Sequence, residues 1–231
     1  MINLVLPLWL PTVAMTSRGE GFPVRRVFCI GRNYAAHARE MGHDPDREPP
    51  FFFTKWAEAV VPTGKIAYPP ETEDYQFEAE LVVALGSGGH NIQPADAGAH
   101  IYGYACGLDM TRRDLQAEAK KKGRPWDVAK NVEQSAPIGL IHPAADVPAM
   151  DVGAITLTQN GEVKQSGDLS DMIWPIRDVI AYISRFYALE AGDLIYTGTP
   201  EGVGPVKPGD RLSVRIAGLS DLDVTIAGPR A

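Results

Sequence analysis

Apolar positions along this chain come in short runs punctuated by glycine and proline, a pattern of strands and turns rather than of long helices. Ile2 to Val13 reads as an edge strand, because Pro7 and Pro11 have no N–H to give a ladder. Ser17 to Gly21 follows as a polar turn, and Val24 to Gly31 as a strand ending on glycine. The period then changes. Arg32 to Gly42 predicts a short helix, with Asn33 as N-cap, alanines in its middle and Gly42 in the left-handed position past its end. His43 to Pro50 is polar and proline-rich, suited to a flap attached to that helix.

Strands are predicted again over Phe51 to Lys55, Ile66 to Pro70, Tyr75 to Leu85 and Ile101 to Leu108, with a short helix from Pro94 to His100. Thr111 opens a helix with capping-box spacing to Asp114 and Gly123 as its terminating glycine. Asn160-Gly161, between extended runs, is the strongest hairpin signal in the chain. Pro175 begins a helix whose apolar positions are Ile176, Val179, Ile180, Ile183 and Phe186. Leu194 to Thr197 and Leu212 to Ile216 then end the chain in sheet rather than in alternating βα units, so the expected class is a turn-rich α+β fold.

At 231 residues the chain suits one large domain, expected over 22–231, with 1–21 as an N-terminal extension or edge strand. A net charge of −7 argues against nucleic acid or a membrane surface as partner, and the one basic tract is Lys120-Lys121-Lys122. Ile2 to Leu10 lacks a basic flank, is interrupted by Pro7 and is too short for a bilayer, so a soluble, cytoplasmic protein is expected. Cys29 and Cys106 sit in apolar runs without metal-type spacing, as buried free thiols would.

The chemistry begins at Glu78-Ala79-Glu80. On an extended chain the two glutamates point the same way, about 7 Å apart, and want water, a shared proton or a shared cation. Asp109, at the exit of an apolar strand, is either a third ligand or an acid preceding the Thr111 helix. An all-oxygen set of Glu78, Glu80 and Asp109 suits Mg²⁺ or Mn²⁺ better than zinc. His37 and Glu40, one helical turn apart, are either a surface ion pair or an imidazole oriented as a general base. Arg113 and Gln116 share a helix face with Lys120 and are either a solvated helix face or, with Lys130, a site for a carboxylate and a developing oxyanion; Lys130 itself has no periodicity argument either way. The glycine-rich Thr197 to Pro205 lacks the ending of a phosphate loop and is either a structural turn or one that presents Thr199 and backbone N–H groups to a site.

Taken together, Gly31-Arg32-Asn33-Tyr34 with His37 and Glu40, Glu78-Ala79-Glu80, Gly107 to Thr111 with Arg113, Asp114 and Gln116, Lys130, and Thr197 to Gly204 resemble the fumarylacetoacetate hydrolase family. The likeness runs from about Val24 to the C-terminus and is greatest to its short acylpyruvase branch, which includes fumarylpyruvate hydrolases of gentisate breakdown. The resemblance implies a mixed β-sandwich roll with flanking helices, usually a homodimer, and Mg²⁺ or Mn²⁺ on Glu78, Glu80 and Asp109. It also implies a water-activating His37–Glu40 dyad, catalytic Lys130, and substrate contacts from Arg113, Gln116, Lys55 and Thr199. The implied reaction is hydrolysis of a small anionic keto acid, an acylpyruvate, in aromatic catabolism. Oxaloacetate decarboxylation, isomerase or hydratase chemistry, and a non-catalytic metal scaffold are the alternatives.

Overall fold

The structure, a computed structural model, describes residues 12–35, 49–62 and 64–229. Two sheets carry the fold. The larger has six strands in the spatial order His142–Pro143, Ile101–Leu108, Ala79–Leu85, Asp193–Tyr196, Arg26–Gly31 and Phe51–Lys55. The other has five, in the order Glu162–Asp168, Ala154–Gln159, Arg211–Ile216, Leu222–Pro229 and Lys65–Tyr68. Pairing in both is antiparallel except for Asp193–Tyr196 on Arg26–Gly31 and Leu222–Pro229 on Lys65–Tyr68.

Alternation of side chains explains how the sheets pack. Leu81, Val83 and Leu85 join one core with Ile155, Leu157, Val214 and Ile226 of the five-stranded sheet, while Val82 and Ala84 join a second core with Val27, Cys29 and Leu194. A strand covered on both faces has to be apolar at nearly every position, which is how Ala79 to Leu85 reads. The Ile176–Ser184 helix closes the first core with Ile176, Val179, Ile180 and Ile183. The result is the α+β sandwich expected. Asn160 (φ 54°) and Gly161 (φ 85°) make the left-handed turn of the Ala154–Gln159/Glu162–Asp168 hairpin. Cys29 and Cys106 are buried free thiols, and no helix among the described residues is long and apolar enough to cross a membrane.

Several elements differ from the sequence pattern. Tyr75 to Leu85 is not one strand but two, Tyr75–Phe77 and Ala79–Leu85, separated at Glu78. The ladder breaks there because the Glu78 carbonyl accepts from Asp109 N–H (2.9 Å) and the Gln165 side chain accepts from Ala79 N–H (3.0 Å). Tyr75–Phe77 pairs instead with Thr111–Arg112 and Gly204–Pro205. The helix expected from Thr111 starts at Arg113, since Thr111 is in that strand pair and its hydroxyl donates to the Asp109 carbonyl. Asp114 makes no capping box; its carboxylate accepts from Leu115 N–H, Glu73 N–H and the Thr72 hydroxyl. From Pro94 the chain makes a turn before a single 3₁₀ turn over Ala97–His100. Phe186 lies past its helix, 55% exposed, packed edge-on to Phe52 and Tyr182 rather than in the core.

Most of the expected Ile2 to Val13 strand and of the Arg32 to Gly42 helix lies outside the described residues. Val13–Met15 pairs with Gly21–Pro23, and Ala14 and Phe22 are buried in the second core. Asn33, fully buried, knots three segments: its Nδ2 donates to the Trp174 and Thr197 carbonyls (3.0 and 2.8 Å) and its Oδ1 accepts from Trp174 N–H (2.8 Å). Asn33→Ala leaves those groups unpaired in the interior, so unfolding in urea should show a loss of about 2–4 kcal/mol. An unchanged midpoint would contradict this role.

Candidate active site

Ala79–Leu85 and Ile101–Leu108 run antiparallel with Ala79 opposite Leu108 and Glu80 opposite Gly107. That register delivers Asp109, the next residue after Leu108, beside the end of the strand that carries both glutamates. One carboxylate oxygen from each of Glu78, Glu80 and Asp109 lies within 4.8 Å of the others. Glu78 and Glu80 are 5% and 1% exposed, which excludes the solvated-face reading of the pair.

Each carboxylate has its own support. Glu80 Oε2 accepts from Gly198 N–H at 2.9 Å, and the approach requires glycine: φ is +99° and an added Cβ would stand 2.7 Å from that of Asn33. Burial, then repulsion from Asp109 and Glu78, pushes the Glu80 carboxyl well above the usual range, against the pull of the Gly198 bond and Lys130. Glu78 receives Arg113 Nη2 at 2.5 Å on Oε1 and Lys130 Nζ at 2.7 Å on Oε2. Lys130, on the single helical turn Asp127–Lys130, also donates to Asp109 Oδ2 at 2.8 Å and sits over the Phe53 ring. Burial works against its charge, but Asp109 and Glu78 outweigh burial and raise its pKa, so it stays an ammonium.

Arg113 and Gln116 face the same cavity one helical turn apart. Gln116 Oε1 accepts from Arg113 Nη1 (2.7 Å), which makes the Gln116 NH₂ its donor end. Lys55 is placed differently from expectation. Its side chain is fully buried behind Asp109, its Nζ bonded to the Met110 and Lys130 carbonyls and to Ser135 Oγ, and it is not among the cavity's lining residues. There it supports Asp109 from behind. Asp109 Oδ1 lies 2.9 Å from Lys55 Nζ but off the hydrogen-bonding direction, and it accepts no hydrogen bond among the described residues. An all-oxygen trio, one oxygen without a donor and one carboxyl driven towards protonation fit a hard divalent cation.

Glu78, Glu80, Arg113, Gln116, Lys130 and Thr199 thus line one cavity. His37 and Glu40 lie outside the described residues. Three residues of this region were not singled out by sequence. Arg32 and Lys120 line the cavity too, and Lys120 carried a signal in its shared helix face with Arg113 and Gln116. Gln165 had none, being one polar residue of a hairpin strand. Its buried amide joins Ala79 N–H to Thr199 Oγ1 (2.8 Å) and the Pro200 carbonyl (2.8 Å), fixing the loop over the glutamates.

The fumarylacetoacetate (FAA) hydrolase C-terminal family matches residues 26–227. The chain belongs to this family. Among family relatives it is 46% identical over 192 residues to a fumarylpyruvate hydrolase of Ralstonia sp, covering 82% of this chain and 99% of the relative. It is 40% identical over 206 residues to the mitochondrial oxaloacetate tautomerase of Homo sapiens, covering 89% and 93% of the two chains. Its structure superimposes with a TM-score of 0.95 on fumarylpyruvate hydrolase from Pseudomonas aeruginosa, solved in complex with Mn²⁺ and pyruvate, at 48% identity over 97% of this chain and 99% of that one.

The raised Glu80 pKa has a measurable consequence. In the metal-free protein, folding loses stability as pH rises through the Glu80 titration, because the unfolded carboxyl ionises more easily. A cation reverses the preference by displacing the proton. Mn²⁺ affinity should therefore climb with pH and level off above that titration, with proton release seen by calorimetry in two buffers of different ionisation enthalpy. Affinity independent of pH, with no proton release, would contradict the assignment.

Proposed function

We propose that this family member hydrolyses the carbon–carbon bond of a 2,4-dioxo acid, with fumarylpyruvate as substrate and Mg²⁺ or Mn²⁺ as cofactor. The observation that carries this reading is the buried Glu78–Glu80–Asp109 trio, whose two glutamates open onto a cavity lined with cations. Near full-length likeness to fumarylpyruvate hydrolases, one of them solved with Mn²⁺ and pyruvate, supports it. A divalent cation on the trio supplies Lewis acidity to the carboxylate and keto oxygens of a 2-oxo acid.

The chain's own residues do the rest. His37, oriented by Glu40, takes a proton from water as its oxygen adds to the distal acyl carbonyl. Lys130 and the Gln116 NH₂ donate to the tetrahedral oxyanion that results. Collapse of that oxyanion breaks the bond between the acyl carbon and the adjacent methylene carbon, which leaves as the enolate of pyruvate and recovers a proton from His37. Arg113, braced by Glu78 and Gln76, holds charge and shape at the 2-oxo acid end. Likeness to oxaloacetate tautomerases supports a second reading, in which the same residues shuttle a proton on oxaloacetate and no water adds.

Loss of the acylpyruvate chromophore, with pyruvate release, separates the two when fumarylpyruvate, acetylpyruvate and oxaloacetate are compared with and without a chelator. Fumarylpyruvate should be cleaved and the chelator should stop it. Glu80→Ala and His37→Ala should each lower turnover by about 10²–10⁴-fold while the circular dichroism spectrum is kept. A fully active His37→Ala enzyme would sink the general-base role, and action on oxaloacetate alone would favour tautomerisation.

A further inference from the structure

The cations of the cavity fall into two groups. Arg113 and Lys130 are engaged by Glu78, and Lys130 by Asp109 as well, so their charge belongs to the carboxylate end. Lys120 lines the same cavity and takes part in neither contact, and Arg32 lines it too. No carboxylate contacts Lys120 among the described residues; its Nζ sits 5.1 Å from the centre of the Trp126 ring. Arg32 lies over the Phe51 ring at 5.2 Å and holds a left-handed backbone, φ 60°, unusual for a residue other than glycine or asparagine. Phe51 and Trp126 meet edge to face, so this end of the cavity has aromatic walls and two cations.

Length agrees with charge. Arg113 and Lys120 are seven residues apart on one helix, so their backbones are separated by about 10 Å along its axis. An extended carbon chain gains about 3.8 Å for every three bonds, as the polypeptide backbone does, so a seven-carbon 2,4-dioxo diacid reaches about 7.5 Å and its carboxylates somewhat further. Oxaloacetate, with four carbons, reaches about half of that. An acylpyruvate without a terminal carboxylate has nothing for the second pair of cations.

We infer that Arg32 and Lys120 form a subsite for the terminal carboxylate of a long, dianionic acylpyruvate, and that this subsite sets preference for such substrates over short or monoanionic 2-oxo acids. The inference rests on the acylpyruvate reading and adds the residues that choose the acyl group. Burial, followed by repulsion from Arg113 and Arg32, pushes Lys120 down to about 8, the behaviour of an ammonium crowded by cations and short of an anion. Other arginines are placed less well. Arg25 pairs with Glu190 at 2.8 Å, and Arg124 is 65% exposed, lies 4.0 Å from Glu118 and opens on the neighbouring cavity beyond Phe51, Phe53 and Trp126.

The test uses two unreactive probes of equal length, 2-oxoheptanedioate and 2-oxoheptanoate, titrated calorimetrically into Mn²⁺-loaded protein. Wild type should bind the diacid more tightly by roughly ten- to hundredfold, the worth of a charge-assisted hydrogen bond. Lys120→Met should bring the ratio of the two affinities close to one, Lys120→Arg should restore most of it, and Arg124→Met should keep the wild-type ratio. Arg32→Asn, which retains a residue tolerant of the left-handed backbone, should lower the ratio as well. A wild-type ratio near one, or a ratio kept in Lys120→Met, overturns the subsite. Selective binding of the diacid without turnover of any acylpyruvate would count against the hydrolase reading alone, and binding of neither probe would count against both.

Discussion

Three carboxylates, Glu78, Glu80 and Asp109, are held within 4.8 Å of one another in the protein interior. At that separation two like charges repel by about 3–4 kcal/mol even at an effective dielectric constant near 20. Lys130 bridges Glu78 and Asp109, Arg113 takes the other oxygen of Glu78, and Lys55 lies against Asp109 from behind. These cations are themselves buried or nearly so, and each depends on the acids as much as the acids depend on it. Removing any one therefore leaves an uncompensated charge, which is far costlier than losing a surface pair. Glu80, whose one hydrogen-bond donor among the described residues is a backbone N–H, is the member left wanting a cation.

The fold serves this cluster. The six-stranded sheet is covered on both faces, so Glu80 and Asp109 emerge where its strands end in the interior rather than in water. The strand break at Glu78 lets the Asp109 N–H close on the Glu78 carbonyl and fixes the two acids' backbones together. Gly198 and Gln165 then bring the Thr197 to Pro200 loop down on the glutamates. Asn33 ties the same loop to the Trp174 segment. Loop and strand thus behave as one support for the site.

Much of this was legible in the amino-acid sequence, and the reasons for success and failure are physical. Period-two alternation placed Glu78 and Glu80 on one face, and Asn160-Gly161 fixed its hairpin, because both signals are local. The break at Glu78 was not legible, since it arises from hydrogen bonds to Asp109 and to Gln165, residues distant in sequence. The resemblance implied a substrate contact from Lys55, and only the folded chain shows that the end of Phe51–Lys55 lies behind Asp109. Thr111 looked like an N-cap by spacing, but its pairing with Gln76 took precedence over the local signal. The family resemblance joined the acidic trio to Arg113, Gln116, Lys130 and Thr199, which spacing alone left open, whereas the place of Arg32 and of Lys120, on the helix face of Arg113 and Gln116, became clear from the cavity they line.

The claim on which the rest depends is that Glu78, Glu80 and Asp109 seat a divalent cation. Diffraction from crystals grown with Mn²⁺, collected at a wavelength where manganese scatters anomalously, locates the ion without reference to any assumed chemistry. A single strong anomalous peak among oxygens of all three carboxylates is the expected result. A trio still spanned by Lys130 alone, with no peak there at saturating Mn²⁺, would contradict it.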